Sequence, residues 1–382
     1  MSVTKNKLKR TSLVLVGAAV TAVTLASTTL PASAAEGHHD ATAGFNVKSF
    51  PAVGTESGPD DITRLADSVY VTFQNGVGPL GEPSKTGATT STIQQYGLNG
   101  KPGKSWQVTG KVDGLTADPA HDRLLLTANE DGNSSFSTLT PDAGNPLTSY
   151  TYSGLTHGGG TDAITVTDGK IIISASAPTN TTGPAAYSVA LTGTTAKLTP
   201  LFTDNASATV ANGAQAGAKT TLALTDPDSN TLVPAAASRF KGNFMLDAQG
   251  DRQLIFAANL GTSKQTLQAL TVAQPLDDTV FAAHSDQTLW ITDPSSNNIY
   301  SVTGPFESGQ AISTIAPDTG ATSLATLNLG TGTLTPIKEL AAIHPKGLMF
   351  TGTSDGDHSG HDGHDGGQEP HRARDQQGGH GQ

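Results

Sequence analysis

P-D-D-I-T-R-L at 59–65, followed at once by V-Y-V-T-F at 69–73, is the stretch whose reading decides the fold. An acidic doublet leads a short alternating run, a tight polar turn follows, and a second apolar run of β-branched and aromatic residues comes next, which is the signature of paired strands. The same order returns in V-D-G-L-T-A-D-P at 112–119 before L-L-L-T-A at 124–128, and in G-T-D-A-I-T-V at 160–166 before I-I-I-S-A at 171–175. It returns again in K-G-N-F-M-L-D at 241–247 before L-I-F-A-A at 254–258, and in L-D-D-T-V-F-A at 276–282 before L-W-I-T-D at 289–293. H-P-K-G-L-M-F at 344–350 closes the series as an inner strand whose outer partners are expected from the N-terminal end of the chain. Asp61 and Asp113 lie 52 residues apart, and Asp113 and Asp162 lie 49 apart. A β-propeller blade of four strands takes roughly 40–50 residues. Third strands follow at suitable distances, as in Y-S-V-A-L at 187–191 and N-I-Y-S-V at 298–302, and no long stretch shows helical period.

The chain is therefore predicted to be all-β, a single β-propeller of about seven blades, with six to eight compatible with the length. The repeat is least regular between 195 and 240, and a pair of β-sandwiches is the structural alternative.

The ends read differently from the body. Lys5, Lys7, Lys9 and Arg10 precede an apolar run from Ser12 to about Ala26 and then A-S-A-A at 32–35, the pattern of a secretory signal peptide over 1–34. That run is shorter than the ~20 residues a membrane-spanning helix needs, so no membrane insertion is expected after cleavage. A flexible segment at 35–44, a propeller at 45–353 and a tail at 354–382 complete the predicted organisation. The expected location is extracytoplasmic, in a periplasm or at a cell surface, and the expected state is a monomer. With no cysteine in the chain, disulfides and thiolate metal sites are excluded, leaving His, Asp, Glu and backbone oxygen as ligands.

The chain carries 22 Lys and Arg against 33 Asp and Glu. Removing residues 1–34 takes four of the bases and none of the acids, leaving a formal charge of −15. Such a surface repels nucleic acid and anionic membranes and attracts cations.

The tail repeats D-G-D-H-S-G-H-D-G-H-D at 355–365, with His358, His361 and His364 three residues apart, and His38 and His39 stand beside Asp40 near the other end. Imidazole and carboxylate in a glycine-rich run suit loose chelation of zinc (Zn2+) and related ions. Such a tail buries too little apolar surface to fold alone. In the body, His157 and His344 each precede an inner strand and are expected at one channel mouth, where Asp113, Asp162, Asp60 and Asp277 or Asp278 stand at a similar level. The competing reading is that these acids cap strands and satisfy turn backbone groups. His284 follows an inner strand at the far end and suits a second site, whereas His121, in D-P-A-H-D-R, is expected on an exposed hairpin.

For catalysis the sequence offers little. It has no G-x-S-x-G, no H-E-x-x-H, no phosphate-binding glycine loop and no cysteine nucleophile. D-P-D-S-N-T at 226–231 starts like a calcium loop but lacks its glycine and its closing glutamate.

With a secreted propeller carrying His/Asp-rich segments, the chain resembles the AztD-type zinc metallochaperones. That resemblance implies zinc bound by His and carboxylate and handed to the solute-binding protein of a zinc ABC transporter, with His38 and His39 matching an N-terminal His arm. The chain departs from the pattern in placing its longer cluster at the C-terminus. D-G-L-T-A-D-P-A-H-D-R-L at 113–124 also resembles blade sequences of lactonase-type propellers, which keeps a hydrolase as the alternative, and a plain interaction platform is a third.

Overall fold

The runs of Val, Ile, Leu and Thr between polar turns form strands throughout the computed structural model, which describes residues 44–179 and 182–352. Their hydrogen-bonded ladders make five sheets, one of which has eight strands. That sheet is two four-stranded blades joined at their outer edges, where 195–197 pairs parallel with 151–153. Six blades result. Their inner strands, Pro59–Leu65, Val112–Asp118, Gly160–Thr167, Pro227–Leu232, Leu276–Phe281 and Leu348–Thr351, neighbour one another in a closed ring. We number the blades 1 to 6 in that order.

Blades 1 to 3 are each built from one continuous stretch of chain, running inner strand to outer strand. Blade 4 is larger. Pro227–Leu232, Phe244–Ala248, Gln253–Ala258 and Thr266–Thr271 form its core, and Ser207–Val210 and Lys219–Thr221 add two strands outside. This enlargement absorbs the residues that length alone would assign to a seventh blade.

It also corrects the sequence alignment. K-G-N-F-M-L-D is the second strand of blade 4, and the inner strand is the D-P-D-S-N-T tract that resembled a broken calcium loop. The eleven-residue connection at 233–243 displaces the repeat and hides the equivalence.

Blades 5 and 6 interlock. The chain lays down the inner strand of blade 5, crosses to blade 6 for Thr288–Asp293 and Asn298–Thr303, and returns to blade 5 for Ala311–Ile315, Ser323–Leu327 and Leu334–Pro336. It then ends in the inner strand of blade 6, while Asn46–Pro51 pairs antiparallel with Asn298–Thr303 as that blade's outer strand. Both ends of the described chain thus sit in one blade, and the ring closes without leaving an inner strand unpaired, as the sequence suggested for H-P-K-G-L-M-F.

Burial follows the blade boundaries, with six apolar clusters, each lying mainly between two neighbouring blades. Between blades 6 and 1, Trp290 packs with Ile62, Val71 and Phe73, stacks on Phe50 at 5.8 Å between centroids, and donates its indole N–H to Thr351 Oγ1 at 3.0 Å. A flat sheet-on-sheet contact of this kind needs alternating large side chains on both faces of each middle strand, which explains why the second strands read as continuous apolar runs.

Candidate functional site: an acidic ring at the channel mouth

Five of the six inner strands break register at their start, between Pro59 and Ile62, Val112 and Leu115, Thr161 and Ile164, Pro227 and Asn230, and Leu276 and Asp278. A β-bulge re-aims the side chains at the break. The residues so placed are Asp60, Asp113, Asp162, Asp228 and Asp277, and blade 6 supplies Lys346. Together they line one end of a central cavity of about 470 Å³. The strands start together at this mouth, so their later residues line the other end, where Val166, Leu232, Phe281 and Phe350 make the wall largely apolar.

Hydroxyls on the second strands hold the ring in place. Thr127 Oγ1 donates to the carbonyl of Asp162 at 2.5 Å, and Thr314 Oγ1 donates to that of Lys346 at 3.0 Å. Ser174 reaches the Asp228 carbonyl and Thr292 the Asp60 carbonyl in the same way. Each of these bonds runs from one blade to the next. Gly114 and Gly347 sit where the boundary is tightest, since a Cβ would strike Asp162 O in the first case and Asp60 O in the second.

The doublets divide the work. Asp61 Oδ2 accepts the backbone N–H of Leu115 at 2.6 Å, and Asp278 Oδ2 accepts that of Leu348 at 2.7 Å, so the second acid ties its neighbour's inner strand while the first faces the channel. The structural reading of these acids therefore holds for Asp61 and Asp278. The ring members are the ones left to act.

Charge around the ring is uneven. Lys346 Nζ lies 2.7 Å from Asp277 Oδ1 and 3.9 Å from Asp60 Oδ1. Burial works against its ammonium, but Asp277, Asp60 and Asp228 outweigh that and hold its pKa well above the usual lysine value. Asp113 Oδ1 takes Lys111 Nζ at 2.9 Å and the Gln74 amide at 2.8 Å, and Lys111 also pairs with Glu130. Burial raises the pKa of Asp60 to about 7 against the pull of Lys346 and Lys111. Burial and Glu130 raise that of Asp162 to about 6, partly offset by a hydrogen bond from Asp228. Burial and the charge of Asp162 hold Asp228 well above the carboxylate range.

Of the residues singled out in the sequence, Asp60, Asp113, Asp162 and Asp277 stand in this ring. His157 does not line the cavity; it is fully buried, with Nε2 3.4 Å from the equally buried Asp204 Oδ2. His344 is half-buried, its backbone N–H donating to Asp293 Oδ2 at 3.0 Å and its Nδ1 3.2 Å from the carbonyl of Thr322. His284 is exposed in the turn after the blade 5 inner strand, its backbone N–H bonded to Gln287 Oε1 at 3.0 Å. The three histidines thus stand at separate places and do not meet in one site. His121 lies on an exposed turn and pairs with Asp118 at 2.8 Å. His38, His39, His358, His361 and His364 lie outside the described residues. Among the described residues no group of three His, Asp or Glu is placed to hold a metal ion.

Sequence reading missed Asp228 and Lys346 as ring members. The signal for Asp228 was the acidic start of D-P-D-S-N-T. The signal for Lys346 was its place in H-P-K-G-L-M-F, where the other inner strands have aspartate.

Fold and site together define a β-propeller with an acidic channel mouth closed on one side by a lysine. No known family pattern matches the chain, and no curated protein matches it. Solved structures that resemble it include the periplasmic gluconolactonase PpgL of Pseudomonas aeruginosa, at 12 % identity over 81 % of this chain and 99 % of that one, with a TM-score of 0.44. A functionally unknown protein from Desulfotomaculum acetoxidans is similar at 10 % identity, covering 80 % and 96 % of the two chains with a TM-score of 0.44. The WD40 β-propeller domain of Doa1 is similar at 11 % identity over 74 % and 69 %, with a TM-score of 0.38. Likenesses this distant carry no argument about function. Among the described residues no helix is long and apolar enough to cross a membrane.

Proposed function

We propose that this protein is an extracytoplasmic cation-handling propeller that captures zinc on its His/Asp-rich terminal segments and passes it to the solute-binding protein of a zinc ABC transporter. The observation that carries the reading is the mouth itself, where five aspartates from five blades face one opening with a single ring lysine among them. Low-dielectric walls lined by one sign of charge focus the field and raise the local concentration of cations. Coordination then falls to the termini, where His38, His39, His358, His361 and His364 supply imidazoles. Weak chelation by flexible chain favours exchange, because ordering the segment costs entropy with each ligand fixed.

Isothermal titration with zinc tests this on three proteins: the mature chain, the same chain ending at Thr353, and the mature chain with the five terminal histidines replaced. Zinc binding in the mature chain that weakens at least tenfold in the other two is the expected result. Binding no tighter than micromolar in any of them removes the reading. Transfer is tested by mixing the loaded protein with the transporter's solute-binding protein and following zinc between them.

A propeller hydrolase is the second reading, favoured by one feature. Asp60, held near neutrality within reach of Lys346 in a cavity of small-molecule size, has the properties of a general base. Turnover of any lactone in a panel, lost in Asp60→Asn, supports it; inactivity across the panel leaves the cation reading alone.

A further inference from the structure

The ring has six positions, and Lys346 occupies one of them. Its two neighbours are Asp277 and Asp60, and it serves both with one ammonium. Directly across the channel stands Asp162, flanked by Asp113 and Asp228. Within this trio Lys111 reaches Asp113 Oδ1 at 2.9 Å, and no ring lysine stands among the three.

Two observations support a cationic partner there. Asp113 is only 6 % exposed, and while its Oδ1 takes Lys111 and Gln74, its Oδ2 meets no donor among the described residues. Leaving a buried carboxylate oxygen unpartnered is costly, which is why native proteins rarely do it. Ser229 Oγ, beside Asp228 on the cavity wall, is likewise buried without a partner.

The chemistry of the trio selects the cation. A divalent metal needs three or more ligand atoms drawn in to about 2.0–2.6 Å at once, and no described acid or histidine group is so placed. An ammonium accepts carboxylates at hydrogen-bond distance, about 2.7–2.9 Å, and spreads three donors over several of them. Lys346 already demonstrates that this ring holds one. Beyond the ring the wall turns apolar at Leu115, Ile164, Val166, Leu348 and Phe350, and the cavity of about 470 Å³ falls in the range of small-molecule sites.

We propose that Asp113, Asp162 and Asp228 form a binding site for the ammonium group of a small primary amine whose hydrocarbon part lies along the apolar channel. The ligand's ammonium mirrors that of Lys346 and donates to Asp113 Oδ2 and to the Asp162 and Asp228 carboxylates. This site is independent of zinc capture by the termini.

The test uses the whole mature chain and n-hexylammonium chloride as probe, with 1-hexanol as the uncharged control, read by isothermal titration and thermal melting. Asp162→Asn and Asp228→Asn keep the side-chain shape and each removes an ionisable carboxyl; melting curves confirm that they fold, and either one suffices. The expected result is saturable binding of hexylammonium, at least tenfold weaker binding of hexanol, and at least a tenfold loss of hexylammonium affinity in a folded variant. No binding of the amine, equal affinity for amine and alcohol, or unchanged affinity in both variants overturns the proposal. So does zinc displacing the amine one for one in the chain lacking its terminal histidines, which would assign the trio to a metal. Zinc titration of the Asp162→Asn chain separates the two readings, because that change leaves every terminal histidine in place.

Discussion

Blades 1 to 3 and blades 4 to 6 use the same local parts and assemble them differently. In the first three, each acid-led inner strand is followed in order by its partners, so contacts are local and each blade could be outlined from its own stretch of chain. In the last three, blade 4 gains strands, blades 5 and 6 exchange theirs, and the final blade gathers strands from both ends of the described chain. A repeat of hydrophobic pattern thus specifies that a strand forms and which face it buries. It leaves open which neighbour the strand joins, since all the middle strands present similar apolar faces.

The two tryptophans probe that difference most strongly. Trp290 lies in the interlocked half, buried between blades 6 and 1 and hydrogen-bonded to the last strand, whereas Trp106 is half-buried on the outer strand of blade 1. Trp290→Ala is expected to cost about 3–5 kcal/mol in denaturant unfolding, and Trp106→Ala about 1–2 kcal/mol given its partial burial. Equal losses would mean that the closing blade is no more critical than the others.

His157→Ala asks whether the first half relies on its buried pair. Removing one partner leaves Asp204 buried opposite a cavity, with an expected loss of about 3 kcal/mol in the absence of any metal. A chain of unchanged stability without zinc, but weakened in zinc binding, would instead return His157 to the ligand role its sequence position suggested.

The ring joins both halves, and titration of its acids and of those beside it gives a smaller, graded effect. Burial is the leading cause that raises Asp60 and Asp278 to about 7, and Asp162 and Asp226 to about 6. These exceed the roughly 3.9 of an unfolded aspartate, so the folded chain binds more protons between about pH 4 and pH 7 and its stability falls as pH rises through that window. Melting temperatures should be higher at pH 5.5 than at pH 8, and Asp162→Asn should flatten the difference. A melting temperature that rises from pH 5.5 to pH 8 would contradict this assignment of charge.

The smallest effect concerns blade 4. Asp247 occupies the place that Thr127, Ser174, Thr292 and Thr314 hold in their own blades, yet its buried carboxyl oxygens have no hydrogen-bond partner among the described residues. Burial and the charges of Asp277, Asp278 and Asp226 push its pKa well up. Asp247→Thr should restore the hydroxyl and stabilise the protein by about 1 kcal/mol at pH 8, with less gain as the pH is lowered and the buried carboxyl takes up a proton. Destabilisation at both pH 8 and pH 5.5 would show that the equivalence between blades stops at this strand.

How much of the site was legible follows the same division. Asp113 and Asp162 could be picked out because each stands a fixed step before a strand in a regular blade. Asp228 was hidden by the long connection at 233–243, which shifted the repeat onto the second strand of blade 4. His157 and His344 shared a similar position in the chain, but the loops preceding their strands carry one to Asp204 and the other to Asp293 and Thr322. Linear spacing describes strands well because the extended backbone has a fixed rise, and describes loops poorly because their course is set by what they pack against.

The sequence by itself determined the all-β architecture, the acid at the head of each regular inner strand, the closing role of the last strand, and a cysteine-free chain that must meet cations with oxygen and nitrogen. Only the tertiary structure decided that there are six blades, that the last two interlock, and that the repeated acids form a ring answered on one side by Lys346. Patterning along the chain records which residues prefer burial and extension. Charge balance around a channel depends on which six residues meet across it, and those come from points as far apart as Asp60 and Lys346.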